Sequence, residues 1–333
     1  MKPKDRDFIQ TLDNHLFCVV GYLHPPDGYT AYLKYMPSPD GKWGKDGHRY
    51  SRTLPFYSVE QVENTYMYLK NEHPQYLLDC PVRNISISWV PKEYVKKYYN
   101  PREKLEEIKK RGANDPLEQK LLDLTTLLEE TAGVNGSLGI TGSILTGTHN
   151  PSFSDIDLTV HGNAASRRLM AALRQLKKQT TQVKPVSPGE KQRWVQNRSE
   201  RFSLSRADLG KIAEKRWNYG YFEDTYFSVH PTRTDEETHE KYGDNTYHRR
   251  GPVEGTAGVI EDRDSIYLPA VYGVEGAEDI SEVVSFEGLY GSLFEIGDKI
   301  QFKGVLEEVK GKNQQTRVLI GGAGSPDSYI KWA

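Results

Sequence analysis

Gly136–Gly162 reads GSLGITGSILTGTHNPSFSDIDLTVHG, and the fold turns on how the two halves of this run relate. In the second half Ile156, Leu158 and Val160 alternate with Asp155, Asp157 and Thr159, the period-2 pattern of a strand with one polar face. Asp155 and Asp157 therefore project from the same face. Two carboxylates held that close repel each other unless a cation lies between them, and hard oxygen ligands suit Mg²⁺ or Mn²⁺. In the first half, Gly142-Ser143 opens a short apolar segment, so backbone N–H groups and a hydroxyl can face an anion. A phosphate cradle followed by a metal-binding Asp-x-Asp strand is equipment for phosphoryl or nucleotidyl transfer. A P-loop is excluded, because no Gly-Lys-Ser/Thr follows Gly142 at the required spacing.

Thr141-Gly142-Ser143, a gap of eleven residues after Ser143, and then Asp155-x-Asp157 resemble the signature of the polymerase-beta-type nucleotidyltransferase superfamily. The longer run, with FIQTLDNHLFCVVGYLHPPDGYTAYLKYMP before it and SIYLPAVYGV after it, is similar to an archaeal family of predicted nucleotidyltransferases. The resemblance implies that Asp155 and Asp157 hold Mg²⁺ or Mn²⁺ against the phosphates of a nucleoside triphosphate. It further implies that Gly142 and Ser143 grip the terminal phosphates. A nucleoside monophosphate would then pass to a hydroxyl of an RNA end, a protein or a small molecule. Members of the superfamily usually carry a third carboxylate on a neighbouring strand, and here the sequence departs from them. In Thr225–His230 alternation places Tyr226, Ser228 and His230 on the site face, and none is an acid. Three solutions stay open: His230 serves as ligand or base, Asp224 bends in, or the site works with two carboxylates. Two rivals stand beside this reading, a catalytically silent nucleotide- or RNA-binding protein and a phosphate-hydrolysing metalloenzyme.

The composition sets the frame. Charged residues make up 27% of the 333, and Phe, Tyr and Trp 11%, with a net charge of −2. No apolar run approaches the ~20 residues of a membrane helix, and MKPKDRDFIQ lacks a signal-peptide core, so a cytoplasmic protein is expected. Cys18, within LFCVV, reads as a buried thiol rather than half of a disulfide. Charge is unevenly spread. Residues 163–216 carry 14 Lys/Arg against 4 Asp/Glu, whereas residues 254–308 carry 13 Asp/Glu against 3 Lys/Arg. The first segment could meet a polyanion such as RNA, or the two could meet each other.

Three regions follow, an α+β fold throughout. Residues 1–100 read as a small α+β domain: an antiparallel meander over 7–37 with a Pro25-Pro26-Asp27-Gly28 turn, an exposed loop over 38–54, and a helix capped at Ser58. That domain shows no catalytic constellation. Residues 101–250 read as the nucleotidyltransferase domain, a mixed sheet with helices. Asp115-Pro116-Leu117-Glu118 starts the helix ahead of the Gly136–Gly162 run, and Ser205 caps another. Lys215 and Arg216, at the end of that helix, are either triphosphate ligands or surface residues. Residues 231–253 read as a linker, and no His pair there keeps a metal-ligand spacing. Residues 251–333, with short β-prone runs between glycine and acidic turns, read as a small β-barrel. Its acidic balance argues against a role in RNA binding. Sequence sets no oligomeric state.

Overall fold

The computed structural model describes residues 2–45, 47–53, 59–277, 279–312, 314–321 and 327–333. The chain is α+β and divides into two compact units that interleave along the sequence. The first comprises Met1–Leu78, Ile87–Val186 and Trp217–His239; the second comprises Asp79–Ser86, Ser187–Arg216 and Glu240–Ala333.

In the first unit the expected meander forms from β1 (Phe8–Thr11), β2 (Leu16–Val19) and β3 (Gly28–Pro37), paired antiparallel in succession. Asn14 supplies the left-handed residue of the first turn, and the Gly28 N–H donates to Pro25 O across the second at 3.3 Å. The stretch 38–54 is not the exposed loop expected from its polarity. It folds as a hairpin of β4 (Trp43–Lys45) and β5 (His48–Arg52), with β5 paired to β3. Tyr50, 1% exposed, anchors it. Helix α1 (Val59–Glu72) follows; its expected cap at Ser58 lies outside the described residues. β6 (Leu77–Cys80) pairs with β7 (Ile85–Pro91), β7 with β3, and β8 (Val95–Tyr99) with β1.

Helices α2 (Pro101–Arg111) and α3 (Pro116–Ala132) lead to the Gly136–Gly162 run. Asp115 caps α3 by accepting from the N–H groups of Leu117 and Glu118. Glu118 does not close a capping box; it accepts instead from the Asn114 N–H and from Arg111. The run itself supplies β9 (Leu138–Thr141), α4 (Gly142–Thr146) and β10 (Ile156–His161), and α5 (Asn163–Gln179) comes next. With β11 (Val183–Lys184), β12 (Tyr219–Phe222) and β13 (Thr225–Thr232), the strand order is β11-β12-β13-β10-β9. β10 runs parallel to β13 and antiparallel to β9.

Both faces of β10 are covered, for different reasons. Ile156, Leu158 and Val160 are fully buried, as are Phe227 and Val229 on β13, and α5 packs on both strands. The other face carries Asp157, Thr159 and His161. There the Thr141 hydroxyl donates to Arg6 O at 2.6 Å. A Cβ on Gly139 would lie 2.6 Å from Thr159 Oγ1 and 2.8 Å from Pro101 Cβ, so a glycine is what lets the first turn of α2 seat on the sheet. The polar residues of the strand thus end up inside, except where the carboxylates emerge.

The second unit contains α6 (Pro188–Ser199), α7 (Arg206–Lys215) and six strands: β14 (Asn245–Glu261), β15 (Ala270–Glu275), β16 (Glu282–Ser285), β17 (Lys299–Gly311), β18 (Gln315–Ile320) and β19 (Tyr329–Trp332). The hydrogen-bonded order β14-β15-β16-β18-β17 closes on itself through β17–β14 pairing, and β19 adds to β17. β14 begins within the stretch expected as a linker. Helix α6 was not expected, because Pro188 and Gly189 suggest a break. Ser187 in fact forms a full capping box with Glu190, and Pro188 occupies the first helical turn, where a missing N–H is harmless. Leu209 and Ile212 of α7 join Val259, Tyr272, Ile300, Phe302 and Val318 in one apolar core. Part of the basic segment therefore packs on the acidic ring. Among the described residues no helix is long and apolar enough to cross a membrane.

Candidate active site

β9 passes directly into α4, and Gly142 makes the corner at φ +67°, a left-handed value that favours glycine. A Cβ there would stand 2.7 Å from Asp157 Oδ2. Ser143 follows, almost fully buried. Thr141 is the antiparallel register partner of Asp157, and Ser228 of β13 is its parallel partner. Asp155 immediately precedes β10, and both it and Asp157 are half-buried.

The two carboxyls differ in their hold on protons. Burial, and then the charge of Asp157, lift Asp155 to a pKa of about 6. Burial also works against ionisation of Asp157, yet the facing His230 imidazole and Ser228 hydroxyl hold its carboxyl below the usual range. A cation placed between the two would relieve the repulsion that raises the proton affinity of Asp155.

His230 lies 3.9 Å from Asp157, measured from Nε2 to Oδ1. The Ser228 hydroxyl bridges them: it donates to Asp157 Oδ1, and its oxygen is 2.8 Å from His230 Nε2. A hydroxyl has one proton, so with that proton on Asp157 it is Nε2 that donates to Ser228. Burial and the charge of Arg6 lower His230 to about 4, against the pull of Asp157. The ring is neutral at pH 7, and Ser228 links it to Asp157. Asp224 is elsewhere: its exposed carboxylate pairs with Lys120 Nζ, at the turn where Glu223 takes φ 54°.

Lys215 and Arg216 belong to the second unit and have partners there. Lys215 Nζ donates to Leu293 O at 3.2 Å and lies 5.2 Å above the Trp332 ring; Arg216 lies 4.8 Å above Trp194. The cations whose charges act on the aspartates are instead Lys34 of β3 and Arg52 of β5, both of which favour ionisation of Asp155. Arg52 is the register partner of Tyr35, and its guanidinium lies 4.7 Å above Trp43. The N-terminal segment, expected to hold no catalytic constellation, thus contributes positive charge that acts on Asp155. It also packs against α4. Leu145 of α4 is buried in one cluster with Phe8, Leu16, Cys18, Tyr35 and Tyr50, and the Gly44 N–H donates to Thr148 O at 3.1 Å. In the loop before Asp155, Phe153 is 50% exposed and meets the Trp43 ring edge-on at 5.7 Å. Only alternation in TAYLKYMP could have pointed to Lys34, and any strand with one solvated face shows that.

Residues 123–240 match the family described as "Nucleotidyltransferase domain". The match begins within α3 and takes in α4, both aspartates and β13. An uncharacterized protein of the archaeon Methanocaldococcus jannaschii is 30% identical over 328 residues, covering 96% of each chain. This chain belongs to the polymerase-beta-type nucleotidyltransferase family and shares nearly its whole length with an archaeal relative. No solved structure matches it.

Proposed function

We propose that this protein moves a nucleoside monophosphate from a nucleoside triphosphate to a hydroxyl acceptor, with Mg²⁺ or Mn²⁺ held by Asp155 and Asp157. The observation that carries this reading is the close approach of Gly142 to Asp157, with no side chain between them, on the strand that Asp155 immediately precedes; burial and the charge of Asp157 raise the pKa of Asp155. The donor set is two hard oxygen groups, which fits such an ion. When bound, the metal supplies Lewis-acid polarisation of the α-phosphate and neutralises charge on the departing pyrophosphate.

The protein's own residues do the rest. Gly142 and Ser143 hold the terminal phosphates, and Lys34 and Arg52 offset the charge that develops on them. The acceptor oxygen bonds to the α-phosphorus as the bond to pyrophosphate breaks. Its proton passes to water, since His230, at about 4, is too weak a base to hold it near neutral pH. His230 and Ser228 are positioning residues for Asp157. For an RNA acceptor the contact is the basic segment 163–216, where a groove of about 650 Å³ between α6 and α7 is lined by Arg193 and Arg206, with Lys191 paired to Glu214 beside them. The closed ring of the second unit is, in this reading, a small barrel that supports α7 and does not itself bind RNA.

One observation favours the second reading, a catalytically silent nucleotide- or RNA-binding protein. Ser228 stands across from Asp157, on the strand where a third acid would complete the usual set. Incubating the full chain with each α-labelled triphosphate and Mg²⁺ separates the two. Release of pyrophosphate with label transferred to RNA, to protein or to a small molecule supports the enzyme. Metal-dependent binding with no pyrophosphate release for any triphosphate supports the silent protein.

A further inference from the structure

A second polar cluster lies in the first unit, built from residues far apart in sequence. Asp13 and His15 bracket Asn14 in the turn between β1 and β2, and His73 directly follows α1. His15 Nδ1 is 3.2 Å from Asp13 Oδ1, and His73 Nδ1 is 3.3 Å from Asp13 Oδ2. One ligand atom from each of the three lies within 4.8 Å of the others. Nitrogen and oxygen ligands about 2.0–2.2 Å from a tetrahedral Zn²⁺ stand roughly 3.3 Å from one another. Each imidazole nitrogen lies at about that separation from one oxygen of the Asp13 carboxylate, so the carboxylate faces both rings.

The surroundings hold these groups in place. The Tyr76 hydroxyl donates to Asp13 Oδ1 at 2.9 Å, and the Thr11 hydroxyl donates to the same oxygen, leaving Oδ2 toward His73. His15 Nε2 is 3.2 Å from the Tyr68 hydroxyl. His15 is only 5% exposed, yet its Nδ1 has no hydrogen-bond partner among the described residues. Its approach to Asp13 would suit an ion pair with a protonated ring but lacks the alignment of a hydrogen bond. If Nε2 carries the ring proton toward Tyr68, the lone pair of Nδ1 faces a carboxylate, which is repulsive. If Nδ1 carries it, a buried donor goes unmet. A metal ion resolves both, because it takes the lone pair and the carboxylate together. Outer hydrogen bonds of this kind orient the groups that ligate a metal.

We propose that Asp13, His15 and His73 bind a first-row transition-metal dication such as Zn²⁺, at a site separate in its residues from Asp155 and Asp157. Water fills the remaining position, since Asp13 and His73 keep 34% and 22% of their side-chain surface exposed. The ion ties the β1–β2 turn to the end of α1, which closes a long loop between positions 15 and 73.

The test uses the tag-free full chain, stripped with a chelator and titrated with Zn²⁺ by calorimetry, with Co²⁺ absorption as a second readout. One Zn²⁺ per chain at a site that His73→Ala removes is expected, besides any ion taken by Asp155 and Asp157, with a rise in melting temperature and a visible Co²⁺ spectrum of low-coordinate nitrogen and oxygen ligation. His73→Ala should weaken Zn²⁺ at least about 100-fold, and Tyr76→Phe about 10-fold. Asp157→Asn should leave it unchanged. His73→Gln replaces His73→Ala if the alanine variant does not fold. Less than one Zn²⁺ per chain, or equal affinity in a folded His73 variant, overturns the proposal.

Discussion

Gly142 and Asp157 approach so closely that a Cβ on the glycine would stand 2.7 Å from the Asp157 carboxylate oxygen. A side chain at residue 142 would therefore make the Asp157 carboxylate shift. Gly142→Ala must displace Asp157 and must also place alanine at φ +67°, a strain of about 1–3 kcal/mol. The variant should melt lower than the parent and lose at least about 10-fold in Mg²⁺-dependent triphosphate affinity, a discrete effect of one methyl group. Calorimetry on the folded variant reads it, and unchanged affinity would show that the contact is unimportant.

Asp155 keeps its proton to about pH 6, whereas in the unfolded chain a carboxyl of this kind loses it near ~3.9. Between those values the folded state binds more protons than the unfolded one, so this group's contribution falls as pH rises through the window. Asp155→Asn cannot ionise. In chelator it should melt above the parent at pH 7.5, with the gap shrinking as pH is lowered toward 4. A gap that stays constant with pH would show that Asp155 is not the strained group.

Arg52 acts on the aspartates from the hairpin of β4 and β5. Removing its charge in Arg52→Met leaves most of the apolar stem over Trp43 but takes away one cation facing Asp155. The pKa of Asp155 should rise further, and triphosphate affinity should fall about 10-fold, with the larger loss at low salt. Salt-independent, parental affinity would assign Arg52 to packing alone.

Ser228 is paired in register with Asp157 and donates to it. Ser228→Ala removes that donor and frees the carboxylate from His230. Turnover should drop about 10-fold while triphosphate KM changes little, and the acid limb of the pH profile should move upward as Asp157 loses its partner. His230→Ala should give the same profile if it acts through the serine. Unequal profiles would separate the two residues.

Some of this was legible in the sequence and some could not be. The strand alternation of Asp155 to Val160, the Gly142 corner and the face carrying Ser228 and His230 are local properties of backbone period, and the structure places each accordingly. Lys34 and Arg52 reach the site through the packing of Leu145 among Phe8, Tyr35 and Tyr50, which no window of sequence encodes. Lys215 and Arg216 look like anion ligands by charge and nearness in the chain, but Leu293, Trp332 and Trp194 engage them. Helix α6 was hidden by residues that usually break helices and here start one. The cluster of Asp13, His15 and His73 has no motif, because its third member arrives from the end of α1.

The central claim is that Asp155 and Asp157 hold the metal that binds the triphosphate. The most direct measurement is calorimetric titration of Asp157→Asn with Mg²⁺ and triphosphate, beside the parent. Asparagine keeps nearly the same shape and can still accept from Ser228, so the melting temperature should be retained. Mg²⁺-dependent triphosphate affinity should fall at least about 10-fold, with label transfer lost in parallel. Undiminished Mg²⁺-dependent affinity in the folded variant would contradict the account.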